Sequence, residues 1–157
     1  MNLLGKTTSL FAALLMLTGA AAFASDEPFA ASITVYSPIV VTETAPMSFG
    51  LVTASPATQV VVVNSADAGA AAFDIAGQSG LAVTATVVEP SLALVSGGTT
   101  ITVSNFTYGG ALTGTGTASF SNQGALNNAR VGASANIPAN PAAGAYAGTL
   151  TFRVVYQ

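Results

Sequence analysis

The sequence predicts an all-β domain, a disulfide-free antiparallel sandwich or barrel. Three observations carry that prediction. Thr, Val and Ala dominate from residue 25 onward, and no stretch there presents a helical apolar face. Gly or Pro interrupts the chain every eight to twelve residues or so, the spacing of short strands joined by turns. The last residues place Tyr146, Leu150, Phe152, Val154 and Tyr156 on one face and Thr149, Thr151, Arg153, Val155 and Gln157 on the other, the period-two pattern of a half-buried strand. The chain has 157 residues and no cysteine, so one modest domain must be held by packing, backbone pairing or a partner.

Ahead of that domain, residues 1–24 read as a secretory signal peptide. Lys6 supplies the basic start, Leu10–Leu17 the apolar centre, and Ala22-Phe23-Ala24 a small-x-small cleavage site before Ser25. The apolar run is short for a membrane span, and Asp26 and Glu27 follow it where a stop-transfer pattern needs basic residues. The expectation is an exported protein, reaching the cell surface or an extracellular fibre through the periplasm.

The β segments follow in order. Ala31–Thr44 comes first, with Ile33, Val35, Ile39 and Val41 of one parity, interrupted by Ser37, and with Pro38 having no N–H for a ladder. Residues 25–44 are thus an N-terminal extension or first strand, and residues 45–157 the sandwich proper. Pro46–Val52 is a short second segment in which Phe49 anchors the core and Gly50 marks a bulge or close approach. Gln59–Asn64 contains four consecutive valines, the pattern of a central strand covered on both faces, or of one whose outer face meets another subunit. Ala71–Gly77 places Phe73 and Ile75 inward against Asp74, and Gln78–Gly80 joins it as a hairpin to the alternating Leu81–Glu89. Ser91–Val95 and Thr99–Tyr108 follow, then a glycine- and threonine-rich stretch around residues 109–117 and a short Ala118–Phe120 segment. Asn122–Asn128 reads as loop. Arg130–Ile137 resumes the β pattern with Val131, Ala133, Ala135 and Ile137 in phase. After a proline-rich connection, Ala145–Gln157 is the clearest strand, with Leu150, Phe152, Val154 and Tyr156 on one face.

Composition excludes most catalytic chemistry. There is no histidine and no cysteine, hence no soft metal site, imidazole base or thiolate. Lysine and arginine total three (Lys6, Arg130 and Arg153), so after the leader no lysine remains, and two arginines cannot make a nucleic-acid footprint. Charged residues are 6% of the chain, against about 25% in an average globular domain. The acids Asp67, Asp74 and Glu89 are the only candidates for a carboxylate-dependent hydrolase, and Asp67 and Asp74 for an oxygen-ligated calcium, but no calcium-loop spacing surrounds them. No Gly-x-Ser-x-Gly elbow or phosphate loop is present. Tyr108, beside Gly109-Gly110, is the best candidate for stacking on a sugar, and Asn105-Phe106-Thr107 matches an N-glycan acceptor. The expectation is a protein that is not an enzyme and carries no cofactor.

Met47-Ser48-Phe49-Gly50, Ala72-Phe73-Asp74-Ile75-Ala76-Gly77, Val131-Gly132 through Ile137-Pro138-Ala139-Asn140, and the closing Gly144–Gln157 together resemble secreted bacterial domains of the DUF4402 family. The Phe49-Gly50 pair and the terminal Gly-x-Tyr strand are also similar to archaic chaperone-usher pilins. That second resemblance implies an immunoglobulin-like sandwich lacking one strand, its groove filled by the N-terminal extension of a neighbouring subunit. It further implies a periplasmic chaperone, an outer-membrane usher and a pilus or fimbrium serving adhesion or biofilm. On it, Ile33, Val35, Ile39 and Val41 would be donor side chains, and Leu150, Phe152, Val154 and Tyr156 would line the groove. The expected function is a structural fibre subunit polymerising by strand addition. The other reading is a self-contained secreted sandwich that binds a protein or glycan, because the same patterning serves pairing within or between subunits.

Overall fold

The computed structural model describes residues 25–157; the expected signal peptide lies outside the described residues. The chain divides into two units between Thr34 and Val35. Of the first, residues 25–34 form no strand, and Phe29 and Ile33 are 90% and 88% exposed.

The second unit is all-β. Nine strands are formed: β1 (Val40–Ala45), β2 (Gln59–Val63), β3 (Ala71–Ala76), β4 (Ala82–Val87), β5 (Leu92–Ser96), β6 (Thr99–Gly110), β7 (Thr117–Ser119), β8 (Ala125–Ile137) and β9 (Phe152–Tyr156). They make two antiparallel sheets. The larger runs β1-β3-β8-β6-β5, with β2 also on β8; the smaller runs β7-β4-β9. The fold is a disulfide-free β-sandwich.

β8 organises the larger sheet because it is long enough to serve two partners in succession. Ala125–Val131 pairs with β3, Ala133–Ile137 pairs with β2, and the opposite edge pairs with β6. Gly132 sits at the change of partner, where the backbone of Val63–Ser65 crosses close above it. The in-phase residues Val131, Ala133, Ala135 and Ile137 are all buried. Asn128, with φ of +60°, forms a bulge opposite Asp74, whose carboxylate accepts from the Asn128 N–H at 2.8 Å. That capped bulge carries strand structure back to Ala125, where sequence patterning suggests loop.

The smaller sheet covers only part of the larger one, and two cores result. Ile75, Val83, Ala85, Leu112, Phe120, Leu126 and Ala129 pack between the sheets. The other core, Leu94, Ile101, Val103, Ala133, Ala135 and Ile137, lies on β5, β6 and β8. Met47, Phe49 and Tyr146 pack on it from segments that belong to no strand.

Other expectations are corrected as well. Gln78–Gly80 is no hairpin: β3 and β4 lie in different sheets, so that connection crosses over the sandwich, with Ile75 and Val83 both facing the core between. The valine run is not covered on both faces. β2 pairs only with β8, Val61 and Val63 turn inward, and Val60 and Val62 are 61% and 54% exposed. The first strand begins at Val40 rather than Ala31, because Pro38 lacks an N–H and Ser37 instead donates to the Gln78 side chain. The last strand begins at Phe152 rather than Ala145. Its partner β4 stops at Val87, and Pro90 cannot extend the ladder.

Candidate functional site

The truncation of β9 creates the most distinctive feature of the domain. Residues 143–150 continue upstream of β9, with Tyr146 and Leu150 half-buried and the others exposed. Yet none of these eight residues makes a backbone–backbone hydrogen bond. The same holds for residues 49–54. In a strand-like segment such unpaired groups are a template for another strand.

These two segments form the rim of a cleft of about 620 Å³ whose floor is Leu94, Ile101, Val103, Ala135 and Ile137. No charged side chain lines it. Next to it, sharing Met47, Gly148 and Leu150, lies a second cleft of about 500 Å³ between β1 and β3 on one side and Val87 and Phe152 on the other. The Phe73 and Phe152 rings close its far end, stacked at 4.3 Å with 14° between planes. The smaller sheet therefore ends at β9 with a free edge, and apolar space continues beneath that edge.

The junction between paired and unpaired parts of this wall is pinned by Glu89. Its carboxylate accepts from the Thr151 N–H at 2.8 Å and from the Thr151 hydroxyl at 2.7 Å, while the Val88 N–H donates to the Thr151 carbonyl. These bonds, chiefly the one from the Thr151 backbone, with a small contribution from the Arg153 charge, hold the Glu89 carboxyl below its ordinary value of 4.5. A depressed carboxyl stabilises the fold above the ordinary pKa and loses that contribution as pH falls through the folded value. Wild type is accordingly expected to lose more melting temperature than Glu89→Gln as pH drops from 5 to 3, and to melt above it at pH 7. Parallel melting curves across that range would remove the clamp from this description.

At the other end of β9, the Tyr156 hydroxyl accepts from the Gln78 N–H at 2.7 Å and donates to the Ser37 carbonyl at 2.7 Å. Tyr36 tilts against the Tyr156 ring at 5.9 Å. The chain entering β1 is thus fixed at the C-terminal end of β9, whereas the unpaired wall lies at its N-terminal end.

The residues singled out from sequence fall in distinct places. Phe152, Val154 and Tyr156 lie in β9 and pack on the first core; Leu150 lines both clefts. Phe73 packs on the first core and Phe49 on the second. Of the four donor candidates, Ile39 packs against the domain's own core, and Val41 pairs with Ile75 within its own sheet and lines the second cleft. Ile33 and Val35 are 88% and 81% exposed. Phe29 and Leu51, which sequence reasoning passed over, are also exposed apolar side chains. For Phe29 the available signal was parity, since residues 29, 31, 33 and 35 continue one alternation upstream.

The acids are widely separated structural groups. Asp67 closes the turn after β2 by accepting from the Asn64 N–H at 2.7 Å, Asp74 caps the β8 bulge, and Glu89 holds Thr151. Among the described residues no cluster of three potential metal ligands occurs. The Tyr108 hydroxyl accepts from the Val87 N–H at 3.0 Å, which ties its ring tip to the smaller sheet. Asn105 is an exposed β6 residue with φ of +55° at a register shift. No helix among the described residues is long and apolar enough to cross a membrane.

No curated protein and no solved structure matches the chain. A family model described as "Domain of unknown function (DUF4402)" matches residues 39–156, which span β1 to β9 and both clefts. By that match the chain belongs to the DUF4402 family.

Proposed function

We propose that this protein is an exported structural subunit of an extracellular fibre or pilus-like surface assembly, and that it polymerises when a β-strand from a neighbouring subunit adds to the free edge of the smaller sheet. The observation that carries the reading is the uncharged cleft rimmed by residues 49–54 and 143–150, segments that make no backbone–backbone hydrogen bond. A strand laid there gains main-chain hydrogen bonds along the rim and pockets for alternate side chains. Each large apolar side chain moved from water into such a pocket contributes about 1.5–3 kcal/mol before ordering costs. Low charge fits a subunit whose small side chains become interface. A chaperone holding the same edge before assembly, and an usher for export, belong to the same proposal, as does the absence of enzymatic activity.

The test is the mass of native protein sheared from cells, run on a denaturing gel unheated and then boiled. A ladder that collapses to monomer only on boiling is the expected result, since no cysteine is available to hold the polymer covalently. A monomer band in both lanes overturns the kinetically locked fibre. It would favour a self-contained secreted sandwich binding a protein or glycan, a reading supported by the pairing of β1 with β3 inside one chain.

A further inference from the structure

We infer that the strand entering the cleft is the Phe29–Val35 segment of a second copy of this chain, with Phe29, Ala31, Ile33 and Val35 as the inward residues, and that Ile39 and Val41 take no part in the exchange. The inference rests on the strand-addition reading above and assigns its donor. Ile39 and Val41 are already committed to their own domain by core packing and by the β1–β3 ladder. Withdrawing them would dismantle the edge of the larger sheet.

The residues upstream have no such commitment. Residues 29–35 form no strand, and Phe29, Ile33 and Val35 are each more than four-fifths exposed. Apolar side chains at every second position, three of them large (Phe29, Ile33 and Val35) and one small (Ala31), are the pattern of a strand with one buried face. Pro28 and Pro38 bracket the segment, and neither can donate to a ladder. No charge occurs from Pro28 to Pro38, and none lines the cleft. Size also matches. A 150 Å³ apolar cavity holds about one benzene, so 620 Å³ accommodates roughly four side chains of that scale.

The Tyr156 latch fixes the direction of assembly. It holds Ser37, and so the point at which the segment leaves the domain, at one end of β9, while the receiving rim lies at the other. Donor and acceptor are different surfaces of one subunit. Such a contact is heterologous, and repeated from copy to copy it yields an open fibre rather than a closed dimer.

The absence of cysteine permits a direct test on the full chain. Thr34→Cys places a thiol on the outward side of the segment. Ala145→Cys, Ala147→Cys and Thr149→Cys place one at exposed positions along the rim. Each single variant is mixed with Thr34→Cys, assembled, oxidised, boiled and run without reductant. A band of twice the monomer mass is expected with at least one rim variant and in neither component alone. Thr42→Cys in β1, mixed in the same way, is expected to give none. In parallel, Ile33→Ser is expected to abolish the unheated ladder and leave the melting temperature unchanged.

Three outcomes overturn the inference. A ladder that forms while Thr42, and not Thr34, cross-links to the rim assigns the donor to β1. A ladder that forms with no bridge from Thr34 to any rim position places the donor elsewhere. In a further variant carrying both Thr34→Cys and a rim cysteine, a bridge that leaves the mass monomeric assigns the segment to its own domain. Absence of a ladder from wild type is a different failure and removes the strand-addition reading itself.

Discussion

Ala135→Leu is expected to abolish the boiling-sensitive ladder while leaving the domain as stable as wild type or more so. Ala135 lies on β8 in the floor of the cleft, 2% exposed. In a filled core, three added carbons force neighbours off their rotamers and cost about 1–3 kcal/mol. Here Ala135 borders apolar space of about 620 Å³ that the domain does not fill. Filling such space commonly adds about 0.5–2 kcal/mol. The same leucine occupies the volume an incoming side chain requires. Stability and assembly therefore move in opposite directions, which no general folding defect can imitate. The check is a thermal melt of the purified variant beside the unheated gel. An undiminished ladder from a folded Ala135→Leu protein would mean that the cleft does not receive the strand.

The two cores and the two clefts express one imbalance between sheets. The larger sheet spans β5 to β1, while the smaller has three strands and stops at β9. The first core is closed by the smaller sheet. The second is closed by Met47, Phe49 and Tyr146, carried on segments that belong to no strand. Backbone groups left unpaired are costly where water is excluded and cheap only where water reaches them.

Much of this was legible in residue order. Period-two alternation located Val131 to Ile137 and Phe152 to Tyr156 on their correct faces, because a strand with one buried side must alternate. The limits of strands were less legible, because a ladder ends where its partner ends. Ala145–Leu150 carries the same alternation as β9, yet Pro90, far off in sequence, decides that it has no partner. Sheet membership was hidden as well. Nothing local distinguishes the crossover at Gln78–Gly80 from a hairpin, and the Val60–Val63 run looks the same whether its outer face is covered or open. The cleft shows both limits at once. Its apolar residues were readable one by one, but their unpaired backbone follows only from the arrangement of neighbours.

Gly132→Ala is expected to be a strongly damaging single-methyl change. The backbone dihedral is not the reason, since Gly132 needs no left-handed conformation. A Cβ at residue 132 would lie 2.3 Å from the Val63 carbonyl oxygen and 2.6 Å from the Ser65 nitrogen. Both are main-chain atoms that cannot rotate away. The site is where β8 passes from β3 to β2, so displacing Val63–Ser65 pulls β2 from its register and loosens the turn that Arg130 holds through the Ser65 carbonyl at 2.8 Å. Overpacking against fixed backbone, joined to lost ladder bonds, points to a loss of about 3 kcal/mol. At this size that is a fall of roughly 6–12 °C in melting temperature. Gly114→Ala is the control, because no atom lies within 4 Å of a Cβ there and it is expected to melt within about a degree of wild type. Equal melting of the two variants would mean that the crossing over Gly132 is looser than described, and β2 would then be an accessory to the sheet rather than part of what holds β8 in place.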